Sequence, residues 1–130
     1  MPSDRISRFK IQGKLFLLTY PRTNKEPKRV LRKIRRVLGE PLIEWIIVAQ
    51  EKHTVPVEET NPLEDGEEAS TTEFHLHVLL KLKTRTQFSG LRGSQKLDSF
   101  AGKHGNYVLA RHELKSVEYV IKDGQFETWN

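Results

Sequence analysis

The alternation of apolar and polar positions divides the chain into strand-like and helix-like stretches. Residues 14–20, Lys-Leu-Phe-Leu-Leu-Thr-Tyr, form a β-prone run halted by Pro21 and predict a first, central strand. Thr23-Asn24-Lys25-Glu26 has the Thr-x-x-Glu spacing of a capping box, and Pro27 suits a first helical turn. Val30, Leu31, Ile34, Val37 and Leu38 follow at helical spacing until Gly39 supplies a stop. Lys28, Arg29, Arg32, Lys33, Arg35 and Arg36 fill the rest of that helix. Residues 42–53 predict a second strand, with Trp45, Ile47, Ala49, Glu51 and His53 on one face and Ile46, Val48 and Gln50 on the other. A third strand runs through Phe74-His75-Leu76-His77-Val78-Leu79-Leu80 and ends near Lys83.

Between these two strands, residues 54–72 turn acidic and poor in apolar positions, which predicts a long loop. Residues 84–106 carry four glycines among scattered Arg, Lys and Ser, and no element is legible there. Tyr107-Val108-Leu109-Ala110 predicts a short strand. Residues 112–122 predict a second helix with Leu114, Val117 and Ile121 as its buried stripe and Gly124 as its end. Phe126-Glu127-Thr128-Trp129 predicts a closing edge strand. The order β-α-β-β-(β)-α-β implies an α+β sandwich, one central antiparallel sheet with helices on one face.

At 130 residues the chain has a single-domain length with room for one core. It contains no cysteine, which excludes disulfides, thiolate metal sites and cysteine nucleophiles and fits an intracellular protein. No apolar run approaches membrane-spanning length, and Met1-Pro2-Ser3-Asp4-Arg5 lacks the apolar segment of a signal peptide. The net charge of +5 is unevenly spread: residues 1–38 carry 12 Lys/Arg against 2 Asp/Glu, residues 39–79 carry 1 against 10, and residues 80–130 carry 9 against 5. Basic flanks suit a polyanion, nucleic acid first, although a basic helix face is also an ordinary way to meet water.

The candidate chemistry starts at His75 and His77. On a strand both imidazoles project from the face opposite Phe74, Leu76, Val78 and Leu80. Such a pair serves as two ligands of one metal ion, and equally as a plain surface pair. Glu51 lies near the end of the second strand, across the loop from His75, and supplies a plausible third ligand. With one hard oxygen and no thiolate, the site suits Mg2+, Mn2+ or another divalent ion. On the second helix, Tyr119 falls nearly opposite the apolar stripe, with Lys122 three residues on. A phenol beside an ammonium is a reasonable nucleophile for phosphorus, while the helix alone reads more simply as a half-exposed tyrosine and a solvated lysine.

Phe16-Leu17-Leu18-Thr19-Tyr20-Pro21, His75-Leu76-His77 and Tyr119-Val120-Ile121-Lys122-Asp123-Gly124 occur in the order and general spacing of three motifs. Through them the chain resembles the replication-initiator (Rep) endonuclease domains of small circular single-stranded DNA viruses, the geminivirus-like (CRESS) group. These belong to the HUH class, named for its His-hydrophobe-His motif. The resemblance covers residues 14–129, and residues 97–117, with Phe100, His104-Gly105-Asn106 and Leu114-Lys115, also look like geminivirus-type members.

The resemblance implies a ferredoxin/RRM-like sandwich of HUH endonuclease type. It implies that His75 and His77 are a metal-ligand pair, that Glu51 is the carboxylate ligand and that Mg2+ or Mn2+ is the cofactor. Tyr119 matches the catalytic tyrosine and Lys122 the lysine after it, with Asp123 a candidate supporting residue. Phe16, Leu18, Thr19, Tyr20 and Pro21 match the motif associated with recognition of origin DNA. The implied activity is nicking and joining of single-stranded DNA at an origin stem-loop through a covalent 5′-phosphotyrosine, initiating rolling-circle replication. Residues 1–130 would then be one such domain, the N-terminal part of a longer protein that acts in the host nucleus, touches no membrane and oligomerises through a C-terminal helicase domain. The departure from the family is residues 54–72, where many relatives have only a short turn. Three other readings compete: a non-catalytic single-stranded nucleic-acid-binding module using Phe16 and Tyr20, a transposase or relaxase with the same metal-tyrosine chemistry, and an iron-dependent oxygenase, for which no double-stranded barrel is legible.

Overall fold

The computed structural model describes residues 8–56, 70–122 and 124–130. Among them, five strands form one sheet: β1 (Lys10–Tyr20), β2 (Ile43–Pro56), β3 (Ser70–Ser89), β4 (Asn106–Leu109) and β5 (Phe126–Trp129). The strand order is β4-β1-β3-β2-β5, and every neighbouring pair is antiparallel. The His-x-His strand β3 is therefore the middle of the sheet, hydrogen-bonded to β1 on one side and β2 on the other. Three helices accompany the sheet: α1 (Pro27–Leu38), α2 (Gly90–Ser99) and α3 (Glu113–Ile121).

Alternation along β3 divides the molecule. Leu76, Val78, Leu80 and Leu82 join Phe16, Leu18 and Tyr20 of β1 and Ile46 and Val48 of β2 in the main core. Val30, Leu31 and Ile34 of α1 and Leu97 of α2 close that core from above. On the opposite face Leu79, Ile47 and Ala49 form a smaller cluster, closed by Val120 of α3 with half-buried Val117 and Ile121. The α+β class and the antiparallel sheet are as expected, but the helices do not share one face: α1 and α2 cover one and α3 the other. The physical reason lies in the strands, whose second face also carries apolar side chains that need cover.

Local chemistry accounts for the elements and for the departures from expectation. Pro27 takes the first turn of α1, and Gly39 stops the helix at φ 88°, a left-handed conformation that glycine adopts without a Cβ penalty. The expected capping box does not form. Glu26 is itself the N-cap and makes no side-chain cap hydrogen bond, while the Thr23 hydroxyl accepts from the Lys25 N–H at 3.4 Å. β1 starts earlier than expected and β3 runs on to Ser89, the β1–β3 register slipping between Gly13 and Leu15. α2 occupies part of the stretch that carried no legible element. Gly93 lies so close under β3 that a Cβ there would meet the Phe88 carbonyl carbon at 2.7 Å. In α3 the buried residue is Val120, whereas Leu114, expected in the stripe, is 71% exposed. Residues 54–56 and 70–72 continue the β2–β3 ladder, so they are not loop, and the rest of the expected acidic loop lies outside the described residues.

Candidate functional site

Cross-strand register assembles the site from three strands and one helix. Glu51 of β2 stands directly opposite His75 of β3, and His77 is flanked by Ala49 of β2 and Thr19 of β1. By parity Thr19, Glu51, His75 and His77 all face α3. The Lys81 ammonium fixes that helix to the sheet, bonding Glu113 in its first turn and reaching Glu44 of β2 at 3.3 Å. At the other end of α3, Tyr119 presents its ring edge-on to His77, with centroids 5.5 Å apart and planes at 74°. Lys122, just past the helix, brings Nζ to 3.2 Å from Glu51 Oε2 and 4.5 Å from the centre of the Tyr119 ring.

Glu51 and His77 are the buried polar residues of this face, 8% and 5% exposed. His77 Nε2 lies 3.4 Å from Glu51 Oε2, and Nδ1 lies 3.4 Å from the Thr19 hydroxyl. Burial holds the His77 pKa below the ordinary histidine value, with Glu51 pulling the other way. Burial thus favours the neutral imidazole, whose two nitrogens face the Thr19 hydroxyl and the Glu51 carboxylate. Nε2 is buried and has no hydrogen-bond partner. A carboxylate oxygen and an imidazole nitrogen 3.4 Å apart are donor types that suit a divalent metal, and the Lys122 ammonium already stands against the same oxygen. His75 Nε2 lies 3.5 Å from Glu73 Oε2. Among the described residues no three His, Asp or Glu side chains are grouped to hold a metal ion as they stand.

The chain's three tyrosines have different surroundings. Tyr20 is fully buried and donates its hydroxyl to the Leu97 carbonyl at 2.6 Å, and burial pushes its pKa far above the usual phenol range. Tyr107 donates to Asp98 Oδ1 at 2.5 Å, and its pKa is also raised, by burial first and then by Asp98. Tyr119 is 45% exposed and lines a cavity of about 310 Å³ with Leu17, Arg111, His112, Lys115 and Ser116. Of the three, Tyr119 is the one with access to a substrate and a ring against His77.

The first motif needs correction. Phe16, Leu18 and Tyr20 are 0% exposed and point into the α1–α2 core, so their side chains do not face nucleic acid. Thr19 and Pro21 remain accessible, and Thr19 is drawn to His77. The same burial removes the exposed aromatics that a stacking module on this strand would need. Asp123 lies outside the described residues. Sequence reasoning did not anticipate Glu73, although its place two residues before His75 puts both on one strand face. Nor did it anticipate Arg111 and His112 beside Tyr119, which precede α3 and carry no periodic signal.

No family model matches the chain. It is similar over 98% of its length to two proteins of Bean yellow dwarf virus. They are "Replication-associated protein A" and "Replication-associated protein", each 30% identical over 128 residues. The "Replication-associated protein" of Tobacco yellow dwarf virus (strain Australia) is 29% identical over 130 residues. The chain spans 37%, 32% and 33% of the lengths of these three relatives, about a third of each.

Proposed function

The homologues of this chain are geminivirus-like replication-associated proteins, and from that premise we propose that it serves viral DNA replication as a metal-dependent endonuclease and strand transferase. The substrate is a single DNA strand at an origin, cut and rejoined through a covalent tyrosine link. One observation carries the reading: the Tyr119 ring meets His77 at 5.5 Å while Lys122 touches both Glu51 and Tyr119. Glu51, His75 and His77 are the residues that would hold Mg2+ or Mn2+. When bound, such an ion supplies Lewis-acid polarisation of the scissile phosphate.

The chain's own groups supply the rest. Tyr119 attacks phosphorus in line, so a bond from phosphorus to the phenolic oxygen forms as the bond to the 3′ oxygen breaks. The phenolic proton passes to water, and the departing oxygen takes a proton to become a free 3′-hydroxyl. Lys122 pairs with a phosphate oxygen as charge develops. Thr19 orients His77 through Nδ1, and Arg111 and Lys115 meet phosphates beside the cut. Attack of a 3′-hydroxyl on the phosphotyrosine reverses the step and frees Tyr119. One phosphoester replaces another throughout, so joining needs no ATP. A primer hydroxyl and a resealable link are what rolling-circle replication requires, and a nuclear site of action and an attached helicase domain belong to the same reading.

The test mixes the protein with labelled single-stranded origin oligonucleotides and Mn2+ and resolves the products on a denaturing gel. A covalent adduct that disappears in Tyr119→Phe is the expected result. Absence of any adduct across plausible origin sequences, or equal yield from Tyr119→Phe, would overturn the proposal.

A further inference from the structure

α1 has a side that the core does not use. Lys25, just before the helix, and Arg29, Arg32, Lys33 and Arg36 along it line a cavity of about 390 Å³. Its far wall is Ser99 and Phe100, at the end of α2. Among the described residues none of these five cations pairs with a carboxylate, whereas Arg35 of the same helix reaches Glu40 at 2.9 Å. A basic helix face that merely meets water is convex, and its charges splay apart. Here four exposed cations and the half-buried Lys33 line one concavity, a concentration of positive charge that favours an anion. Arg29 to Arg36 spans about 10 Å of helix, long enough for more than one phosphate of a nucleic-acid backbone.

The cavity lies on the α1–α2 face, opposite Tyr119, and contacts before α1 link its side of the sheet to the strand that carries His75. The Thr23 N–H donates to the Phe74 carbonyl at 2.8 Å, tying the approach to α1 to the strand that carries His75. Arg22 Nε stands 3.6 Å from Glu73, the residue that faces His75. Lys103 Nζ donates to the Pro21 carbonyl at 2.5 Å and adds a cation at the same end. Arg22 and Lys103 thus lie between the site and the cavity.

We infer that this cavity is a second nucleic-acid site, holding the sugar–phosphate backbone that flanks the nick as it passes around the end of the sheet from Tyr119. The inference takes from the proposed function only that the substrate is nucleic acid. The contacts are to phosphate and carry no sequence preference. They hold the flank while Tyr119 is joined to the strand.

The experiment measures binding alone, by fluorescence anisotropy across a salt series. The probes are an oligothymidylate of about 30 nucleotides and a duplex of about 20 base pairs, long enough for several phosphate contacts. Arg29→Gln/Arg36→Gln is compared with wild type and with Lys14→Gln/Lys28→Gln, exposed cations outside the cavity that remove the same net charge. The cavity pair is expected to weaken at least one probe about tenfold and to flatten its log K against log salt by between about 1 and 2. The control pair should lose less than about threefold. The probe that responds identifies the flank as single-stranded or duplex. Unchanged affinity for both probes, or an equal loss in the control pair, overturns the inference. Should the cavity pair lower Tm, Arg32→Gln alone carries the test with the same criteria. Because no cleavage is read, failure of the wild type to form an adduct would strike the nicking mechanism and leave this result standing.

Discussion

On the face of the sheet covered by α1 and α2, Phe16, Leu18, Tyr20, Ile46, Val48, Leu76, Val78 and Leu80 are all shut off from water. On the α3 face the buried apolar cluster among the described residues is Ile47, Ala49, Leu79 and Val120, and beside it lie buried Glu51 and His77. The same strands build both faces, and one step along β3, from His77 to Val78, crosses from candidate site to core. Stability is concentrated on one parity of the strands and chemistry on the other. A thin apolar layer under α3 suffices because Lys81 also ties the start of that helix to the sheet.

Substitutions should separate the two faces. The largest effect is expected from His77→Ala, with single-turnover DNA cleavage falling about a thousandfold. Its urea midpoint should move less than that of a core variant, because the ring gives up a long 3.4 Å contact with Thr19 and an edge contact with Tyr119 rather than a packed apolar site. A midpoint shifted as far as that of a core variant would break the division. Phe16→Ala comes next, costing about 3–5 kcal/mol of unfolding free energy by urea titration, since it empties a fully buried aromatic site. Tyr20→Phe removes the bond to the Leu97 carbonyl and should cost about 1 kcal/mol by the same titration. Its cleavage rate should match wild type, and a large loss of rate would return Tyr20 to the functional site. Leu114→Ala should be the smallest, within about 0.5 kcal/mol of wild type, because the side chain is 71% exposed.

What was legible in the sequence is what alternation and helical periodicity control. The spacing of Val30, Leu31 and Ile34 points to α1, and the positions of Glu51 and His75 on opposite sides of one loop suggest a cross-strand pair that the register bears out. α2 was not legible, because glycines crowd its segment and its buried residues, Gly93 and Leu97, give too short a pattern. The contact that requires Gly93 is with Phe88, on the part of β3 beyond Lys83 that carries no strand pattern in the sequence. α3 was found but turned slightly about its axis: a nine-residue helix with Leu114 on one flank and Val120 on the other leaves the apolar stripe ambiguous. For Phe16, Leu18 and Tyr20, strand parity separated them from Leu17 and Thr19, and only the packing of α1 and α2 decided which set is inside.

The central claim is that Tyr119, against His77 and Glu51, is the nucleophile. Mass spectrometry of the trypsin-digested protein–DNA adduct tests it most directly. Tyr20, Tyr107 and Tyr119 fall on separate peptides, bounded by Lys14 and Arg22, Lys103 and Arg111, and Lys115 and Lys122. The expected result is a nucleotide phosphoester on the peptide that contains Tyr119 and on neither of the others. A nucleotide on the Tyr20 or Tyr107 peptide, with the Tyr119 peptide unmodified, would contradict the account.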